Sequence, residues 1–211
     1  MLDRRRFLAW LLSGAAAAST RAQPRTATQV AWAMSATEGR PVRPGHPLTL
    51  FLCGDVMTGR GIDQVLPQAC PPQIYEPYLR DARDYVALAE QVNGPIDRPV
   101  TYDYVWGDAL PELARVAPDV RIINLETAVT TSGDYWPKGI NYRMHPANVD
   151  VLRAAAIDCC TLANNHVLDW GQAGLAETLA TLARAGFRSA GAGRDLAEAQ
   201  VPAVIPVPGR G

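Results

Sequence analysis

Residues 164–171, Asn164-Asn165-His166-Val167-Leu168-Asp169-Trp170-Gly171, place two carboxamides, an imidazole and a carboxylate within eight positions. Asn offers a neutral oxygen ligand, and His carries a proton that moves near neutral pH. A core buries so many polar groups cheaply only when each finds a partner. The plainer alternative is a turn in which Asn and Asp satisfy backbone groups. Two further acids stand at the ends of apolar runs: Asp55 after Leu48–Cys53, and Glu126, with Asn124 two residues before it, after Val120–Ile123. Two carboxylates and a carboxamide oxygen suit a divalent cation of the harder kind, with His166 beside it. A cation there would relieve the repulsion between the acids and lower the pKa of a bound water.

Each of these groups follows a short apolar stretch that reads as a buried strand: Leu48–Cys53, Val120–Glu126 and Ile157–Leu162. Between them lie segments of helical spacing. One starts from Tyr75 and runs through Tyr78, Ala82, Tyr85 and Ala89, with Leu79 and Val86 beside them. Others are expected over Ala109–Val116, Ala147–Ala156 and Gln172–Ala185, the last with a stripe of Leu175, Leu179 and Leu182 and a stop at Gly186. Strands at Phe187–Ala190 and Val201–Val207, with a short helix near Leu196 between them, complete the pattern. Strands alternating with helices predict an α/β fold with parallel neighbours. In such sheets ligands bind at the carboxyl ends of the strands, where the loops leave a crevice. Asp55, Glu126 and Asn165-His166 are therefore expected on one rim. The glycines of Gly54-Asp55-Val56-Met57-Thr58-Gly59-Arg60-Gly61 allow a sharp turn and close approach there. Arg60, Arg143 and His145 are candidate holders of anionic substrate groups by charge and position.

At 211 residues and 48% hydrophobic, the chain is long enough for one domain with a sizeable core. The formal charge is −1. Without residues 1–22, which carry Arg4, Arg5, Arg6, Arg21 and Asp3, 16 basic residues face 20 acidic ones, a net of −4. A mildly acidic chain with no basic run argues against nucleic acid as a partner. Cys53, Cys70, Cys159 and Cys160 match neither a zinc motif nor a disulfide framework. They read as small hydrophobes, with Cys70 in a loop. Asp3-Arg4-Arg5-Arg6-Phe7-Leu8-Ala9 resembles a twin-arginine export signal, followed by an apolar stretch to Ala18 and a cleavage site after Ala22. That route carries folded proteins, so export to the periplasm would permit metal loading beforehand. Residues 23–47, rich in Pro, Thr and Ala, read as a linker, and 48–211 as the domain.

Gly54-Asp55-Val56-Met57-Thr58-Gly59-Arg60, Asn124-Leu125-Glu126-Thr127 and Asn164 to Gly171 together resemble the capsule-synthesis CapA family. The likeness extends through His145-Pro146-Ala147-Asn148 to Gly191-Ala192-Gly193-Arg194 and covers roughly residues 48–208. That family is linked to poly-γ-glutamate capsules and is similar to the calcineurin-type metallophosphoesterases. The resemblance implies an αββα sandwich of two sheets flanked by helices, of which this chain holds the N-terminal part. It also implies one or two divalent ions, Mn, Fe or Zn. Asp55 matches the first metal-binding Asp, Glu126 the bridging acid, Asn165 the Asn ligand, and His166 the His that assists at the substrate. Met57 stands where the superfamily has a ligand His, and a thioether suits a hard cation poorly. The later histidines should follow the Val201 segment, beyond which the sequence ends at Gly211 in a turn. Two functions are implied: a metal-dependent hydrolase of a phosphoester or related bond, or an exported accessory protein that guides an anionic polymer beside membrane-associated capsule machinery.

Overall fold

The computed structural model describes Gly45 and residues 47–207. The export-signal reading of residues 1–22, nearly all of the 23–47 linker, and the turn at 208–211 lie outside the described residues.

Four strands form one parallel sheet: β1 (Leu50–Val56), β2 (Val120–Leu125), β5 (Cys159–Thr161) and β6 (Arg188–Ala190), adjacent in that order. Leu50 pairs with Val120, Ile122 with Cys159, and Cys159 with Arg188. The expected parallel α/β arrangement is present. A parallel sheet is stable when both faces are covered, which favours apolar runs over alternation. Accordingly Ile123, Leu125, Cys160 and Leu162 are buried. Two short strands, β3 (Ala128–Val129) and β4 (Arg143–Met144), make a separate parallel pair. β4 lies between Thr130 and Pro146, a stretch that the sequence reads as a loop. Two residues carry no periodicity, so such a strand is invisible until its partner is in place.

The connecting helices are α1 (Arg60–Val65), α2 (Arg83–Asn93), α3 (Ala109–Val116), α4 (Asp150–Ala154), α5 (Gly171–Arg184) and α6 (Leu196–Ala199). Leu113, Val151, Leu152 and Leu182 turn into a common core with Ile123 and Leu125. α5 is the predicted stripe helix, and it stops before Gly186, whose φ of +81° only glycine adopts without strain.

Three expectations are corrected. The helix read from Tyr75 starts only at Arg83. Residues 73–81 close an antiparallel turn instead, with Ala82 N donating to Pro72 O and Ile74 N to Arg80 O. Pro77 cannot donate within a helix, and Asp81 accepts from Arg83 N, so the helix begins after it. The helix over Ala147–Ala156 divides into a 3₁₀ turn, Pro146–Asn148, and α4. Residues 201–207 form no strand. Pro202 and Pro206 lack the N–H a ladder needs, and Val201 and Val204 are exposed. The described residues hold one four-stranded sheet and the separate β3–β4 pair. Among the described residues no helix is long and apolar enough to cross a membrane.

Candidate active site at the carboxyl edge of the sheet

The ends of β1, β2 and β5 meet through side chains. The β1–β2 register shifts between Cys53 and Val56, a bulge that sets Gly54 and Asp55 opposite one residue of β2. Asp55 sits at φ +55°, a conformation a non-glycine residue adopts at a cost of about 1–3 kcal/mol. The bulge re-aims its carboxylate, and Asn124 Nδ2 donates to Asp55 Oδ1 at 3.1 Å. Asn164 Nδ2 then donates to Asn124 Oδ1 at 3.0 Å and to Leu125 O at 3.0 Å. His166 N donates to Asn164 Oδ1 at 2.9 Å. One chain of hydrogen bonds thus links Asp55, Asn124, Asn164 and His166 across three strand ends.

Glu126 lies immediately past β2, and its Oε1 is 3.8 Å from His166 Nε2. Burial raises the Glu126 carboxyl above its ordinary value, and the Asp55 charge adds to the shift, while His166 and Lys138 oppose it. The other imidazole nitrogen, Nδ1, is 2.6 Å from Asp169 Oδ2. A carboxylate only accepts, so this contact puts the proton on Nδ1 and leaves Nε2 to face the rim. Asp169 is fully buried and forms an ion pair with Lys138 Nζ at 2.5 Å. Lys138 Nζ also donates to Asn165 O at 2.5 Å. Tyr142 N donates to Asp169 Oδ2 at 2.6 Å, and the Tyr142 ring stacks on the imidazole at 3.9 Å between centroids.

Asp55, Asn124, Glu126 and His166 therefore share the rim. The amide that joins their network is Asn164's; Asn165 contributes its backbone carbonyl to Lys138, and its residue is exposed. Arg60 has its Nε 2.5 Å from the buried Glu76 Oε1. Arg143 is buried, bonds to Ser132 O and Pro71 O, and stacks on Trp170 at 3.9 Å. His145 caps the 3₁₀ turn, its Nδ1 accepting from Ala147 N. The cationic groups named from sequence as anion holders thus all have partners inside the protein. Sequence gives Lys138 and Tyr142 no role in the site, and shows Asp169 only as the carboxylate of the 164–171 cluster. One signal was available: Lys138 is the only lysine in the chain.

The donor chemistry at this rim fits a hard cation: two acids whose mutual repulsion a positive ion would relieve, with neutral amide oxygens beside them. Among the described residues no three His, Cys, Asp or Glu side chains gather closely enough to enclose a metal. Asp55 and Glu126 thus stand as an open pair of acids rather than part of a closed cage. Met57 Sδ accepts from Gly59 N at 3.1 Å, so the thioether turns back into its own loop.

Comparison with known proteins gives the same segment a family. A protein named as a probable polyglutamine synthesis accessory protein in two strains of Mycobacterium tuberculosis is 51% identical over 166 residues, 77% of this chain and 44% of that protein. The PGA biosynthesis protein CapA of Bacillus subtilis is 28% identical over 156 residues, 72% of this chain and 32% of its own length. The chain spans less than half the length of these relatives. The family description "bacterial capsule synthesis protein" matches residues 49–211, a range that takes in every strand described above and the whole rim. By that match, this chain belongs to the bacterial capsule synthesis protein family.

Proposed function

We propose that the protein is an exported hydrolase of capsule synthesis, acting on a phosphoester or a related bond of an anionic polymer. The observation that carries this reading is the line Asp169–His166–Glu126: an imidazole pinned at Nδ1 by a buried carboxylate, with Nε2 turned to an acid on the rim. Such an arrangement suits general acid–base work, because the pinned nitrogen fixes the tautomer and the other can take or give a proton. Lys138 lies against the buried Asp169 carboxylate as its counter-ion. Asp55, Glu126 and Asn165 would hold a divalent ion, Mn, Fe or Zn. When bound, that ion supplies Lewis acidity toward a phosphoryl or carbonyl oxygen. His166 manages the proton on the attacking or leaving oxygen. On this reading the fold is the metallophosphoesterase-like αββα sandwich, and export follows the twin-arginine segment to the periplasm, beside membrane-associated capsule machinery.

The test is metal content by elemental analysis, followed by phosphodiester hydrolysis with and without Mn²⁺. Asp55→Asn is expected to lower metal occupancy, and His166→Gln to lower kcat about 10²-fold or more with metal retained. No bound metal, or an unchanged rate in Asp55→Asn, removes the hydrolase reading.

A second reading has its own support: a non-catalytic accessory protein that binds or guides an anionic polymer such as poly-γ-glutamate. Met57 at the position of a superfamily ligand, its thioether turned back onto Gly59 N, favours it. Retention of the polymer by the protein, with no shortening of its chains and no dependence on metal, would select this reading.

A further inference from the structure

His166 is held by more than its hydrogen bond. A contact at Nδ1 fixes the direction of that bond but lets the ring plane turn about it. Turning would swing Nε2 away from Glu126. The Tyr142 ring lies against one face of the imidazole at 3.9 Å, with the planes within 21° of parallel, which opposes that rotation. Tyr142 is itself fixed at both backbone ends: its N donates to Asp169 Oδ2 at 2.6 Å, and its O accepts from Trp170 Nε1 at 2.9 Å. Its ring and the imidazole therefore hang from the same carboxylate oxygen.

The ring's second neighbour is a cation. The Arg60 guanidinium lies 4.6 Å from the Tyr142 centroid and 5.0 Å from that of Tyr85, within the range of cation–π attraction. Arg60 is locked by the buried Glu76 carboxylate, which also accepts from Tyr85 Oη. Its backbone is held at φ +51°, a strained value for a non-glycine residue.

We propose that Tyr142 is the positioning residue of His166, and that Arg60, clamped by Glu76 and Tyr85, backs it in a Tyr85–Arg60–Tyr142–His166 stack that keeps Nε2 facing Glu126. Arg60 thereby acts through Tyr142 rather than on an incoming anion. This inference rests on the reading of His166 as the proton-transferring group.

The test uses the full chain and two independent readouts. The chain contains three histidines, so the imidazole signals of His166 can be assigned by NMR against His166→Gln. In Tyr142→Leu those signals should shift and broaden as ring-current shielding and rigidity are lost; in Tyr142→Phe they should stay. In hydrolysis, Tyr142→Leu should lower kcat about tenfold with KM unchanged, and Tyr142→Phe should restore it. Circular dichroism checks folding, and Tyr142→Met serves where the Leu variant does not fold. Arg60→Lys, which keeps the charge but loses the planar guanidinium, should loosen the same His166 signals. Unmoved His166 signals in Tyr142→Leu overturn the proposal, as does a full shift with unchanged kcat. A shift of the His166 signals in a protein that never hydrolyses a phosphodiester supports the stack and removes the hydrolase reading, so the two failures are distinguishable.

Discussion

Asp169 receives the His166 Nδ1–H, the Tyr142 N–H and the Lys138 charge on two buried oxygens. An amide at this position keeps an acceptor but loses the negative charge, leaving Lys138 without its counter-ion. Asp169→Asn is therefore expected to lower stability by about 3 kcal/mol, read as a lower urea midpoint, with Tyr142 released from His166. This residue was visible in sequence as part of a polar cluster, but its role was not, because a carboxylate three residues from a His is compatible with a surface turn until burial is known. Asp63 shows the same limit. It sits in a helical stretch, yet it is buried and accepts from Cys70 N, His145 N and Asn148 Nδ2. Burial raises its carboxyl above the ordinary value, and the three hydrogen bonds only partly offset that.

Elements meet here through small residues and shared carboxylates. A methyl on Gly59 would lie 2.9 Å from both the backbone N and O of Arg143, so α1 reaches β4 only without a side chain. Gly59→Ala should cost about 1–3 kcal/mol in chemical denaturation, because backbone atoms cannot swing aside. Glu177 of α5 ties that helix to the end of β3, accepting from Thr130 Oγ1 at 2.5 Å and Thr131 N at 2.8 Å. Burial works to raise its carboxyl, but these hydrogen bonds outweigh it and hold it below the usual carboxylate value. A depressed folded value contributes stability that is present above the unfolded pKa and lost as pH falls through the folded one. The stability curve should therefore fall as pH drops below about 4.5, and Glu177→Gln should flatten that limb; equal slopes in the two proteins would refute the link. The four strands of the sheet, α3 and α5 were legible from spacing. The two-residue strands and the start of α2 were not, since partners at a distance define them.

At the scale of the molecule, the core is asymmetric. Leu182 is fully buried against the sheet, whereas Leu48, Leu50 and Leu52 at the edge strand are 46%, 49% and 67% exposed. Leu182→Ala should cost about 2–5 kcal/mol, while Leu52→Ser should stay within about 0.5 kcal/mol, both measured by urea unfolding. A cavity of about 360 Å³ lies beside the same edge strand, walled by residues such as Phe51, Val105 and Leu113. Sequence alone determined the α/β class, the parallel order of neighbours and the rim that carries Asp55, Glu126 and His166. Those follow from apolar runs of strand length that end in polar residues, and from the rule that such ends share an edge. Only the tertiary structure decided that Asn164 rather than Asn165 bridges the strands, that Lys138 joins Asp169, and that Tyr142 stacks on the imidazole with Arg60 behind it. Those contacts join residues 24 to 82 positions apart, and a hydrogen bond or a stacked ring is fixed by distances of a few ångströms that local spacing does not encode.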